Sequence, residues 1–238
     1  MENQRHILMI LTSHDKMEDT DNRTGVWLGE MTDPYYKFID AGYQVLFASP
    51  LGGEPPIDPM SKLTEHVTAA NRRFTDDSIA QSQFKDTLSL DNILSSAFDA
   101  VFIPGGHGPL WDLSRHPDVS RLLQDFIKEG KPVGAVCHGP AALLALAKDH
   151  PDYLVGKKLT AFTNVEEKLV FRNDHIPYQL ETKLQELGAD FSSALIPFAV
   201  HVVQDGNLVT GQNPLSAGPT ASKIIEMLEG LNEQNLEL

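Results

Sequence analysis

A single cysteine, directly followed by a histidine, is the most reactive pair of side chains in the sequence. Cys137 is the one cysteine among 238 residues, and it lies within GKPVGAVCHGPAALLALA, residues 130–147. A thiolate is a nucleophile, and the imidazole of His138 could accept its proton or act as an acid or base on a substrate. The alternative is that Cys137 is a small buried apolar residue and that His138 only braces a turn.

The pair lies where a strand pattern changes to a helix pattern. Residues 132–139 (PVGAVCHG) are typical of a buried strand, and residues 140–148 (PAALLALAK) are typical of a helix with Pro140 in its first turn. A nucleophile on such a tight turn projects into a crevice, and glycine neighbours allow the turn. A helix N-terminus also favours the thiolate, so we expect a lowered thiol pKa. This position favours the reactive interpretation of Cys137.

The whole chain alternates strand-like and helix-like segments. The strand-like segments are 6–13, 43–50, 99–106, 132–139, 157–163 and two short strands within 199–211. The helix-like segments are 25–42, 76–86, 118–130, 140–148, 177–188 and 216–231. Such alternation predicts a mostly parallel sheet in a three-layer α/β/α sandwich, with ligands at the carboxyl ends of the strands. We predict one domain over residues 1–238, in which the polar segment 51–93 caps the site.

Composition limits the partners and the compartment. The net charge is −14, from 33 acidic and 19 basic residues, so the surface repels nucleic acid and anionic lipid. No apolar run approaches the roughly 18 residues of a membrane span, and the N-terminal run is too short for a signal peptide. One cysteine cannot form an internal disulfide, which fits a reducing compartment. We therefore expect a cytoplasmic protein without nucleic-acid or membrane partners.

Several motifs together resemble the DJ-1/PfpI superfamily, also called class I glutamine-amidotransferase-like proteins. They are, in chain order, TGVWLGEMTDPYY, AGYQVLFASPLGGEPPIDPMS, IPGGHGPLWDL, AVCHGP, TAFTNVEE and LVTGQNPLSA. Within the superfamily, the sequence is most similar to the heat-shock-thirty-one-like branch, which includes the glutathione-independent glyoxalases (glyoxalase III). The resemblance implies a flavodoxin-like fold, a cysteine-histidine-acid site, a homodimer and no cofactor.

The resemblance also implies roles for individual residues. Cys137 matches the nucleophile, His138 its neighbouring histidine, and Glu30 an acid from the first helix with a raised pKa. Glu30 also lies next to an apolar helix stripe, although most glutamates are solvated. The acid that orients the histidine matches Glu167, with Glu166 as the alternative.

The glycine turn after the third strand is the second motif that the resemblance makes functional. It implies that Gly106, together with the amide of His138, stabilises an oxyanion. His107 is expected near the pocket mouth, and Trp111 is expected to contact the substrate. A plain tight turn and a surface histidine are the alternatives. None of the nine histidines has a metal-binding spacing such as His-Glu-x-x-His, and we predict no metal.

The function implied is that of a glyoxalase III-like lyase, which converts a 2-oxoaldehyde such as methylglyoxal into a 2-hydroxy acid. Cys137 would form a hemithioacetal, and Glu30 or His138 would move a proton between the two carbons. The alternatives are an amidase, peptidase or deglycase that uses the same cysteine. A redox-sensing stress chaperone, in which Cys137 is oxidised, is a third possibility.

Overall fold

Seven strands form the central sheet in the computed structural model, which describes residues 5–17 and 21–236. The strands of this sheet are β1 (His6–Ile10), β2 (Gln44–Ser49), β3 (Leu88–Ser89), β4 (Ala100–Ile103), β5 (Val133–Val136), β8 (Val202–Asp205) and β9 (Leu208–Gly211). A separate pair consists of β6 (Lys158–Leu159) and β7 (Asp190–Phe191). The main sheet has the order β3-β2-β1-β4-β5-β9-β8.

All neighbouring strands of the main sheet are parallel except β8 and β9. The antiparallel pair is the predicted hairpin around Asp205 and Gly206, where Gly206 has φ +61°. Parallel strands need crossover connections, and helices supply them here. The predicted flavodoxin-like sandwich is therefore confirmed.

Eight helices accompany the strands in the described part of the chain. They are α1 (Leu28–Asp40), α2 (Ala69–Asp76), α3 (Ser78–Lys85), α4 (Pro117–Lys128), α5 (Ala142–Asp149), α6 (Asn164–Leu169), α7 (Leu180–Glu186) and α8 (Ala217–Leu236). Pro34 lies inside α1 and lacks a backbone N–H, yet the helix continues through it to Asp40. No helix of these described ranges is long and apolar enough to cross a membrane.

The buried side chains form one apolar cluster on each face of the sheet. Along β1, Leu8 and Ile10 pack with α4, α5 and α7, whereas Ile7 and Met9 pack with α1 and α8. Successive side chains of a strand point to opposite faces, so a continuous apolar run is what a doubly covered strand requires. The central strands thus hold their carboxyl ends at one rigid edge.

The polar segment 51–93 contributes the edge strand β3 and the helices α2 and α3. Sequence patterns predict only one short helix there, over 76–86, and miss α2. The segment returns to the start of α1 through a bridge between Ile57 and Val26. It therefore lies beside the carboxyl edge of the sheet, and its function as a cap stays a prediction.

Candidate active site

Cys137 occupies a sharp turn between β5 and a short helical turn at Gly139–Ala141. Its φ of +61° lies in the left-handed region, which costs a residue with a Cβ roughly 1–2 kcal/mol. Backbone hydrogen bonds hold the turn, because the Cys137 N–H donates to Gly211 and its carbonyl accepts from Phe162, both at 2.9 Å. A strained cysteine fixed by two other segments is typical of a functional turn.

The thiol is buried and protonated. Cys137 is 4% exposed, and its Sγ lies 3.3 Å from Nδ1 of His138. Burial, followed by the neighbouring carboxyl of Glu30, raises the thiol pKa well above its usual value. The sequence analysis expected the opposite direction, from a helix N-terminus. That effect is outweighed here by desolvation and by a nearby acid.

Glu30 is a carboxylic acid at neutral pH. It is completely buried in the first turn of α1, and its Oε2 accepts the N–H of Gly105 at 2.8 Å. Burial raises its pKa to about 8, although the Cys137 thiol and the Gly105 N–H both favour the carboxylate. Oε1 has no hydrogen-bond partner within the described chain. The site therefore holds a proton donor beside the thiol.

Glu167 has the opposite protonation state. Burial raises its pKa, but the electrostatic interaction with His138 and hydrogen bonds from both His107 and His138 outweigh burial and hold the pKa well below its usual range. Its Oε2 lies 2.7 Å from Nε2 of His138. An ionised carboxylate only accepts, so Nε2 carries the hydrogen and Nδ1 presents a lone pair to the thiol.

His138 is consequently a neutral base. Burial, followed by the charge of His107, lowers its pKa, and Glu167 opposes this only in part. The ring of Phe162 lies 4.7 Å from the His138 ring and helps to bury it. Thiol, imidazole and carboxylate form a Cys137–His138–Glu167 chain. His138 can accept the thiol proton, and Glu167 orients His138 through its hydrogen bond.

The start of α6 decides between the two adjacent glutamates. Thr163 caps the helix and forms a capping box with Glu166, whose Oε2 accepts the Thr163 N–H. The other oxygen of Glu166 accepts hydrogen bonds from Phe198 N, Gln212 Nε2 and Asn213 Nδ2.

Glu166 therefore braces the surrounding backbone. Glu167, one residue on, is the carboxylate that contacts His138. It is the residue that the sequence analysis preferred for this position.

His107 is buried rather than at a pocket mouth. It is 5% exposed, and its Nε2 lies 2.7 Å from Oε1 of Glu167. Both oxygens of Glu167 thus hold a histidine, and the two imidazole centroids are 4.2 Å apart. A contact between His107 and Glu167 has no signal in a single sequence, because the two residues lie 60 positions apart.

The glycine turn after β4 lies directly against the cysteine turn. A Cβ on Gly105 would lie 2.9 Å from Cβ of Cys137, so only glycine permits this approach. Gly106 has φ +90°, and a Cβ there would overlap the carbonyl of Gly25. The amides of Gly106 and His138 donate to no other group of the described chain. Both N–H groups are therefore available to an oxyanion, and their role as its donors stays a prediction.

Trp111 is the one predicted site residue that the structure does not bring to the thiol. Its indole is 2% exposed, stacks on His14 with a centroid distance of 4.8 Å, and packs in the cluster on the α4 and α5 face. Its indole N–H has no partner within the described residues. A contact with substrate stays a prediction without support from these neighbours.

The histidines and Glu167 could also be considered as metal ligands, a grouping that the sequence analysis did not expect. Candidate ligand atoms of His107, His138 and Glu167 all lie within 4.8 Å of one another. Both N···O distances are 2.7 Å, as in charge-assisted hydrogen bonds. A cation would have to displace both shared protons, so we interpret the group as a hydrogen-bonded unit.

Comparisons with known proteins show a family match and several similar chains. The family model described as "DJ-1/PfpI family" matches residues 22–227. Among curated proteins, the "Glutathione-independent glyoxalase HSP31" of Saccharomyces cerevisiae is 28% identical over 236 residues, which cover 94% of this chain and 98% of that protein.

Two solved structures are similar over almost the whole chain. The Rapid Encystment Protein 24 kDa of Francisella tularensis has a TM-score of 0.87 and 36% identity, over 93% of this chain and 97% of that one. Glyoxalase III from Candida albicans has a TM-score of 0.83 and 27% identity, over 93% of this chain and 96% of that one.

Proposed function

The chain belongs to the DJ-1/PfpI family, and we propose that it acts there as a glutathione-independent glyoxalase. Its substrate would be a small 2-oxoaldehyde such as methylglyoxal, and its product the corresponding 2-hydroxy acid. Similarity to a protein named as a glutathione-independent glyoxalase, over nearly the full length of both chains, supports this proposal.

The observation that carries the proposal is the pair of groups around the thiol. On one side, Glu30 is a buried acid with a pKa of about 8; on the other, His138 presents a neutral lone pair at 3.3 Å from Sγ. A glyoxalase oxidises one carbon and reduces its neighbour within the same molecule, so it needs groups that donate and accept protons at adjacent atoms. Simple acyl transfer needs only the base and the oxyanion donors.

The first step would join the thiol to the substrate. Sγ of Cys137 attacks the aldehyde carbon while His138 accepts the thiol proton. Because the proton moves directly to His138 during the attack, no free thiolate has to form first, which the raised thiol pKa would disfavour. The carbonyl electron pair moves to oxygen, which the amides of Gly106 and His138 can stabilise. Return of the proton from His138 to that oxygen gives a neutral hemithioacetal.

The second stage would move a hydrogen between carbons. A base of the site takes the proton of the former aldehyde carbon, the released electron pair forms an enediol-like state, and the base then returns the proton to the neighbouring carbon. The protonated Oε1 of Glu30 can donate to the oxygen at that neighbour and later recover a proton. The result is a thioester, which water hydrolyses to the 2-hydroxy acid and free thiol. No external oxidant or reductant is needed.

The rival functions use the same cysteine in other ways. An amidase or peptidase would need the thiol and the oxyanion donors but not an acid at Glu30. A deglycase would share the cysteine and differ in its substrate. A redox sensor needs an accessible thiolate, since the thiolate is the form that peroxide oxidises. The raised thiol pKa and the 4% exposure of Cys137 favour the glyoxalase over the sensor.

We also propose that residues 51–93 cap the pocket. Asp58 is fully buried and its charge raises the pKa of Glu30, while His66 packs edge-on against Trp27 with centroids 5.0 Å apart. These contacts support a position beside the site. A homodimer and a cytoplasmic location remain proposals, the first from the resemblance and the second from the single cysteine.

The test is D-lactate formation from methylglyoxal in the absence of glutathione. We expect turnover by the wild type and its loss in Cys137→Ala and Glu30→Gln. Amide or ester hydrolysis that survives in Glu30→Gln, without lactate from the wild type, would instead identify a hydrolase.

A further inference from the structure

One basic lone pair of the site has no task in the mechanism described so far. Nε2 of His107 is bonded to Glu167, whereas its Nδ1 is buried and has no hydrogen-bond partner within the described chain. Because ionised Glu167 only accepts, Nε2 of His107 carries a hydrogen, and Nδ1 is the ring nitrogen that is left to take up or release a proton. A buried polar atom without a partner costs about 1–3 kcal/mol, which favours a functional explanation.

The other two acid–base groups are already engaged. Glu30 carries a proton at neutral pH, so it is a donor and cannot begin by removing one. The Nδ1 of His138 faces Sγ of Cys137 at 3.3 Å, which is the position for the thiol proton. His138 has returned the thiol proton once the hemithioacetal has formed, but its Nδ1 still faces the sulfur. Nδ1 of His107 is the other ring nitrogen of the site, has no partner within the described chain, and is available to the hydrogen on the aldehyde carbon.

The backbone places the turn that carries His107 directly against the cysteine turn. It directly follows Gly105 and Gly106, and a Cβ on Gly105 would lie 2.7 Å from the amide nitrogen of His138 and 2.9 Å from Cβ of Cys137. The His107 ring is 4.2 Å from the ring of His138, and both rings are fixed on the same carboxylate. The His107 ring is thus held beside the one that contacts the thiol.

We propose that Nδ1 of His107 is the base that carries the proton from the aldehyde carbon to the neighbouring carbon, an assignment that rests on the proposed glyoxalase function. Nδ1 takes the proton of the hemithioacetal carbon, and the released electron pair forms the carbon–carbon double bond. The neighbouring carbonyl oxygen accepts the proton of Glu30. The imidazolium then returns its proton to the second carbon, while the hydroxyl of the first carbon becomes the thioester carbonyl and restores the proton of Glu30.

Ionised Glu167 suits this cycle. It accepts Nε2–H from both histidines, so it stabilises whichever imidazole is charged at that moment. Two imidazoles 4.2 Å apart are not both charged at once, since like charges repel. The thiol proton and the carbon proton are thereby handled in separate steps by two different bases.

The test compares His107→Asn and His107→Gln with the wild type and with His150→Asn, an exposed histidine after the end of α5. Both amides retain an N–H that can donate to Glu167 but lack a basic lone pair. The readouts are lactate formation from methylglyoxal, the rate of Cys137 alkylation by iodoacetamide, and retention of deuterium at carbon 2 of lactate. The last uses methylglyoxal deuterated at its aldehyde carbon, in ordinary water.

We expect kcat to fall by about 100-fold or more in both His107 variants, as for loss of a general base, with the alkylation rate close to that of the wild type. The wild type should retain part of the deuterium, and the residual lactate of the variants should retain none. Either of two results would overturn the assignment: variants as active as the wild type, or activity and alkylation lost in parallel. A wild type that forms no lactate would instead overturn the proposed function, and the assignment with it.

Discussion

At the scale of single residues, two buried glutamates near one thiol have opposite protonation states. Glu30 is fully buried and has a raised pKa, whereas Glu167 is bonded to two histidines and has a lowered pKa. The side-chain type is the same, so the difference comes from the neighbours alone. This separation of an acid from a carboxylate makes the site suited to proton transfer in both directions.

Glu30→Gln should change how stability depends on pH. In the native state the carboxyl keeps its proton up to about pH 8, whereas in the unfolded chain it loses it near 4.5. Between these values the wild type therefore loses stability as pH rises, by up to about 1.4 kcal/mol per pH unit from this group. The variant lacks that loss, so we expect its urea-unfolding free energy to rise relative to the wild type from about pH 5 to about pH 8.

The exposed Glu186→Gln is the matched control for that series, since the Glu186 side chain is 59% exposed. Its stability difference from the wild type should stay constant over the same pH range. A constant difference for Glu30→Gln as well would show that Glu30 is ionised in the native protein.

Glu167→Gln should show the opposite dependence. The lowered native pKa of Glu167 stabilises the fold above its unfolded value of 4.5, and this contribution is lost as pH falls below it. We expect the variant to be about 3–5 kcal/mol less stable than the wild type at neutral pH, as when one partner of a buried pair is removed. The gap should narrow in acid, measured by urea unfolding, and a gap that widens there would contradict the ionised state.

At the scale of elements, the cysteine turn stores backbone strain. Cys137 has φ +61°, and glycine alone adopts that region without a steric cost. We expect Cys137→Gly to be more stable than Cys137→Ala by about 1 kcal/mol, although both lack the thiol. Thermal unfolding of the two proteins side by side measures this. Equal stability, or a more stable alanine variant, would mean that the turn is relaxed.

The first turn of α6 should connect stability with activity. Thr163 caps the helix that carries Glu167, so Thr163→Ala should cost about 0.5–2 kcal/mol and also lower kcat. His116→Ala removes the side-chain cap of α4, which carries no site residue, and should lower stability without changing kcat. Steady-state kinetics beside thermal unfolding tests this. If Thr163→Ala had the same kcat as the wild type, the helix cap would have no influence on the activity of the site.

Sequence reasoning was most successful where a local pattern has one structural solution. The apolar run of β1 and the strand-to-helix change at Cys137 predicted the sheet and the cysteine turn correctly. Sequence reasoning missed α6, because the six residues Asn164–Leu169 are too few to show a clear periodicity. It also placed His107 near a pocket mouth, since burial of a histidine depends on a partner distant in sequence. The expected shift of the thiol pKa was wrong in direction for the same reason, since its neighbours are also distant in sequence.

At the scale of the whole molecule, the strand order assembles the site. Because β4 and β5 are neighbours, the glycine turn after one meets the cysteine turn after the other. α1 and α6 approach the same edge. α1 brings Glu30 to the cysteine turn, and α6 brings Glu167 to His138. Four segments distant in sequence thus converge at the carboxyl edge of a parallel sheet, as expected for this architecture.

Burial by the whole fold should also slow the chemical modification of the thiol. Cys137 is 4% exposed with a raised pKa, and reaction requires both access and a thiolate. We expect iodoacetamide to alkylate the native protein much more slowly than the chain unfolded in urea, at the same pH. Equal rates would contradict the protonated, buried thiol and would return attention to a redox sensor.

The most direct test of the central claim is D-lactate formation from methylglyoxal without glutathione, for the wild type beside Cys137→Ala and Glu30→Gln. Lactate from the wild type and its loss in both variants is the expected result, because the thiol and the buried acid act in one mechanism. Lactate formed equally well by Glu30→Gln would contradict the proton-donor role of Glu30. The lack of any lactate from a folded wild type would contradict the glyoxalase function itself.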